Sequence, residues 1–177
     1  IENYANRILA EFNNSSYPTN IYDIASQMGF DTSEGIFDKR ELSGIIAIDK
    51  NLEGRPQFKK SKVIALNNED NSGHQRFTTA HELGHYIFDY CNLDEPYYNY
   101  YYTNQTDTPE EMRANYFAAC LLMPRTIFQT QWDNLEHNQN NTVYDILRII
   151  SENFKVSSEA AKRRYKEVYG EELKLER

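Results

Sequence analysis

Apolar residues recur at helical spacing along most of this chain, and short β-branched runs interrupt them in two places. Residues 4–12 carry the first helical stripe. Thr19 or Asn20 can cap a second helix through Ile21, Ile24, Ala25 and Met28, with Gly29 as its stop. The runs GIIAID (44–49) and KVIALN (62–67) read as paired strands, separated by a polar stretch containing Gly54 and Pro56. Ser72 can cap a third helix whose stripe passes through His74, Phe77, Ala80, Gly84 and Phe88. Residues 91–107, with the run YYNYYY, read as a long connection, and long ordered loops often carry function. Thr108 and Pro109 supply the cap and first residue of a fourth helix, which Pro124 interrupts. A short fifth helix over 125–132 follows, and two more from Val143 onward divide at Val156 and Ser157. The order helix, strand, helix predicts an α+β fold, mostly helical, in one domain spanning 1–177.

Composition narrows the class. With 177 residues, 40% of them hydrophobic and 14% aromatic, the chain can bury a core of its own. No apolar run reaches the roughly 18 to 20 residues of a membrane span, and the first residues lack an export pattern, so a soluble, cytoplasmic protein with no membrane partner is expected. Cys91 and Cys120 form no C-x-x-C pair, which suits incidental thiols in a reducing compartment. A formal net charge of -8 argues against nucleic acid as the main partner.

One motif carries chemistry. His81-Glu82-Leu83-Gly84-His85 is an H-E-x-x-H pattern, and four residues of helix put both imidazoles on one face, where they can share a zinc ion. Glu82 then lies beside the open coordination position and is the expected general base for peptide hydrolysis. Gly84 leaves room where a metal site needs it, and Phe77, Ala80 and Phe88 give the helix an apolar side that anchors the ligands. A third ligand must come from elsewhere. Glu110 and Glu111 both qualify, because each lines up with an apolar stripe of the fourth helix, and Thr108-x-x-Glu111 also reads as a capping box. Periodicity does not choose between them. Asn115, one turn beyond Glu111, can orient that carboxylate or simply pack. His137 and the tyrosines of YYNYYY are candidates for stabilising an oxyanion, and His74 belongs to the start of its helix.

The blocks RFTTAHELGHYIF (76–88) and EEMRANYFAACLLMP (110–124) resemble the ImmA/IrrE family of metallopeptidases, in the same order and separation. The resemblance extends more loosely to the N-terminal helices, KVIALN and FKVSSEAAKRRY. It implies a zincin-like domain with a small antiparallel or mixed sheet beside the H-E-x-x-H helix. It also implies one zinc ion per chain held by His81, His85 and Glu111, with Glu82 catalytic. The substrate it implies is a protein, a helix-turn-helix transcriptional repressor of a mobile element or stress response. The chain departs from the commoner E-x-E-A-N form at Arg113, which replaces an acid but leaves Glu111 in register.

Two other classes compete. Helices over 143–170 have a helix-turn-helix look, with six Lys or Arg against three Glu between Arg148 and Val168, which raises a DNA-binding regulator. A protein-binding regulator with a non-catalytic zinc site is the other. Retention of Glu82 favours the enzyme.

Overall fold

The computed structural model describes residues 1–12, 17–38, 41–91, 95–102, 108–138 and 140–174. They form two compact units, one from Asn20–Ala118 and one from Ile1–Thr19 with Ala119–Arg177.

The 20–118 unit begins with α2 (Ile21–Gln27), after α1 (Glu2–Glu11) of the other unit. Of the two caps expected for α2, Asn20 is the one used: its side chain accepts from the Asp23 amide. Gly29, at φ +91, turns the chain out of the helix in a conformation that suits glycine. β2 (Leu42–Ile48) and β3 (Lys62–Asn67) are paired, as expected, and run antiparallel. Two strands were not expected: β1 (Phe30–Gly35), parallel to β3, and β4 (Tyr97–Tyr102), antiparallel to β2. The sheet is therefore mixed, in the order β1-β3-β2-β4. β4 lies inside the segment expected to be a connection; residues 92–94 and 103–107 of that segment fall outside the described residues.

Helix α3 (Ser72–His85) is capped by Asn71, whose side chain accepts from the His74 amide. This puts the cap one residue before Ser72, an ordinary shift at a helix end where two side chains can both serve. Beyond His85 the helix widens into one π turn over Tyr86–Tyr90. α3 packs on the sheet where Gly44 of β2 has no side chain. A Cβ there would lie 2.4 Å from Thr78 Cγ2 and 3.7 Å from Glu82 Oε1, so Gly44 admits the helix face that carries Glu82. α4 (Pro109–Leu122) crosses α3 at Gly84, where a Cβ would lie 3.1 Å from both Ala114 Cα and Phe117 Cδ1. The room expected at Gly84 is thus filled by the backbone of α4.

The other unit gathers α1, the end of α4, α5 (Arg125–Glu136), α6 (Val143–Phe154) and α7 (Ser158–Tyr169). Phe128, Trp132 and Phe154 fill its core, with Phe128 and Trp132 stacked at 5.8 Å. A capping box of Thr142 and Asp145 starts α6, and Ser157 caps α7 by accepting from the Ala160 amide. Arg164 is fully buried and donates to the Met123 carbonyl at 2.8 Å and to Glu2 Oε1 at 2.9 Å. Among the described residues, no helix is long and apolar enough to cross a membrane.

The contact at Gly84 is with backbone and a packed ring, which cannot yield cheaply. Gly84→Ala is expected to cost about 1–3 kcal/mol, read as a lower urea midpoint at unchanged slope.

Candidate metal centre

Each side chain of the centre is placed by one of two helices. His81 and His85, four residues apart on α3, turn one face to α4, and Glu111, in the first turn of α4, meets them. Glu111 Oε2 lies 3.2 Å from His81 Nε2, Glu111 Oε1 lies 3.1 Å from His85 Nε2, and the two Nε2 atoms are 3.1 Å apart. All three residues are buried. Of the two glutamates the sequence left open, Glu111 is the one buried beside the histidines, and Glu110 is exposed. Thr108 does cap α4, its hydroxyl accepting from the Glu111 amide at 3.3 Å, while the Glu111 carboxylate belongs to the cluster.

The outer nitrogens are tied down as well. His81 Nδ1 lies 2.9 Å from Asn115 Oδ1, and His85 Nδ1 lies 2.9 Å from Asp89 Oδ2. Asn115 therefore orients a histidine, where the sequence suggested the Glu111 carboxylate. Both partners accept hydrogen bonds, so each Nδ1 donates and each Nε2 turns a lone pair toward the centre. Three electron-pair donors facing one another at 3.1–3.2 Å need a positive charge between them. Donors held tetrahedrally at about 2.0 Å from zinc would sit about 3.3 Å apart, close to what is seen. The two-imidazole, one-carboxylate set fits a metal ion.

Burial holds His81 below its ordinary value. At His85 burial also opposes the cation, but hydrogen bonds to Glu111 and Asp89 outweigh it and raise the value. Burial works against the Glu111 carboxylate too, yet both histidines pull it down to about 2.

Glu82, next to His81 on α3, differs from the other acids. It is fully buried, both carboxylate oxygens lack a hydrogen-bond partner among the described residues, and burial pushes it up to about 8. An unpaired buried carboxyl is costly to a fold and marks a functional position.

Aromatic rings close the site. Tyr101 of β4 packs on His81 with ring centroids 4.1 Å apart, and Tyr90 lies over His85 at 6.1 Å and stacks on Tyr97 at 3.5 Å. The inner tyrosines of YYNYYY are thus brought to the site, while Tyr98 and Tyr100 are exposed on the outer face. His137 is exposed at the end of α5, in the other compact unit. His74 bonds Ser43 of β2 at 2.9 Å, at the start of its helix as expected. Asp89 was missed by the sequence reading; its signal was a carboxylate four residues beyond the second histidine, on the same helical face.

Residues 39–166 match the IrrE N-terminal-like domain of the M78 peptidases. A transcriptional regulator from Mycobacterium tuberculosis has a similar fold, with a TM-score of 0.59 and 15% identity over 93% of this chain and 46% of that one. This chain thus spans about half the length of that regulator. No curated protein matches the sequence.

Asn115→Ala removes the acceptor that orients His81. It is expected to weaken divalent-ion binding by about 10- to 100-fold in a chelator competition, with the helical circular dichroism unchanged.

Proposed function

The chain belongs to the M78 peptidase family through its IrrE N-terminal-like domain, and from that premise we propose that it is a zinc-dependent endopeptidase that cleaves a protein at a chosen site. One observation carries the reading: a three-donor cluster whose ligand atoms lie within 4.8 Å of one another adjoins a buried, unpartnered carboxyl, Glu82. His81, His85 and Glu111 would hold one zinc ion per chain. When bound, zinc supplies a Lewis acid that makes water nucleophilic near neutral pH. Glu82 takes the proton of the attacking water on a carboxylate oxygen and passes it to the nitrogen of the leaving amine. Asn115 and Asp89 keep the imidazole rings turned so that Nε2 faces inward. Tyr101 covers one side of His81 and excludes solvent there.

The resemblance to ImmA/IrrE proteins supports a helix-turn-helix repressor as the substrate, cut in the cytoplasm to relieve repression. Exposed Tyr98 and Tyr100 offer it an aromatic docking edge on β4.

A second reading, a regulator with a non-catalytic zinc site, is favoured by one observation: His81, Glu82 and His85 are each at most 1% exposed. Glu82 separates the two, because a purely structural site gains nothing from an unpaired buried acid.

Elemental analysis is expected to find zinc near one per chain, falling sharply in Glu111→Ala with the fold retained. Glu82→Gln should keep the zinc and lower cleavage of a repressor encoded beside the protein by at least about 10²-fold. Equal activity of Glu82→Gln would favour the non-catalytic regulator, and an intact repressor beside zinc-loaded protein would count against that substrate.

A further inference from the structure

Arg113, two residues beyond Glu111 on α4, lies outside the cluster yet reaches it. Its Nη2 pairs with Asp89 Oδ1, and the other oxygen of that carboxylate, Oδ2, accepts from His85 Nδ1 at 2.9 Å. The guanidinium lies over the Phe88 ring at 5.6 Å from its centroid, and Phe88 meets Phe117 of α4 edge-on at 5.4 Å. Asp89 lies in the π turn over Tyr86–Tyr90, one turn beyond His85, and its two oxygens meet the two partners. The contacts close a ring that leaves α4 at Glu111, passes through His85 and Asp89, and returns to α4 at Arg113.

We propose that Arg113 is a positioning residue for the metal centre, holding the His85 imidazole in ligand geometry through Asp89. Two consequences follow from the ring. With one oxygen engaged by Arg113, the Asp89 carboxylate cannot rotate away from His85, so the imidazole stays held through Nδ1 with Nε2 turned inward. The Arg113 charge also offsets that of Asp89, which stands beside the histidines along with Glu111, and so eases the repulsion between the two carboxylates. The proposal rests on the metal-binding reading given above, though not on any cleavage activity.

Cobalt(II) titration of the full chain, followed by its visible absorption, tests this. Arg113→Met is expected to weaken cobalt binding about 10-fold or more and to alter the ligand-field bands. Arg113→Lys, which keeps a charge for the single Asp89 contact, should recover most of the loss. In an Asp89→Asn background the Arg113→Met change should have little further effect, since the link it acts through is gone. Arg113→Gln serves as a second uncharged probe if the methionine variant does not fold.

A brace that only supports the fold would lower the melting temperature of the metal-free protein and leave cobalt affinity and spectrum as they are. That result overturns the proposal. So does a loss of affinity that Arg113→Lys fails to restore, or one that persists undiminished with Asp89→Asn. Unmodified protein that takes up no cobalt overturns it together with the metal reading. Uptake by the unmodified protein with unchanged variants overturns this proposal alone.

Discussion

Side chains as short as glutamate and histidine can meet at 3.1–3.2 Å across two helices only if the helix backbones cross closely, and here they do so at Gly84. Packed helices usually keep their axes about 8–10 Å apart, and the lower end of that range requires small residues at the crossing. Gly84 on α3 and Ala114 on α4 supply them, while Phe117 and Phe88 fill the flank. The same crossing sets Asn115, next to Ala114 and one turn beyond Glu111, against His81 Nδ1. Gly44 performs the corresponding service on the sheet side, where it lets Thr78 and Glu82 sit against β2. Two positions without side chains therefore decide how near the acids come to the histidines.

Much of this was legible in the sequence. Helical stripes located the helices of the chain to within a few residues, and the H-E-x-x-H spacing put both histidines on one face. Glu111 was harder. Two adjacent glutamates opening a helix both align with apolar residues, so periodicity alone could not say which turns inward. That depends on the azimuth at which α4 packs on α3, a tertiary property. The missing strands have local reasons. β1, FDTSEG, is nearly all polar after Phe30 and earns its place by pairing with β3, which no pattern within the segment reveals. β4 alternates in burial between inner and outer faces, but five of its six residues are tyrosine, so the alternation is invisible in residue type.

Asp89 and Arg113 show a different kind of blindness. Each is an ordinary charged residue in its own segment, and Arg113 even looked like a departure from the family pattern at a position that usually carries an acid. Meaning comes from the pairing between them, which joins the π turn to α4. A regular α-helix advances about 100° per residue, and widening it by one turn changes where the following side chains point. Asp89 lies within that irregular turn, and there one carboxylate meets both a histidine and an arginine.

Glu82 bears on stability as well as chemistry. A carboxyl with neither oxygen bonded, inside a domain whose net stability is of the order of 5–15 kcal/mol, is a liability that the apolar packing around it must offset. The cluster beside it is a second liability, because its donors repel until a proton or an ion lies between them. A cation held there would ease both at once, screening the donors and favouring the charged form of Glu82. Because the donors come from α3 and α4 together, such an ion would bind the packed helices and not the separated ones, and its binding energy would become folding energy for the unit of residues 20–118. Site and crossing would then stabilise each other, with Gly84 permitting the approach and the ion holding it.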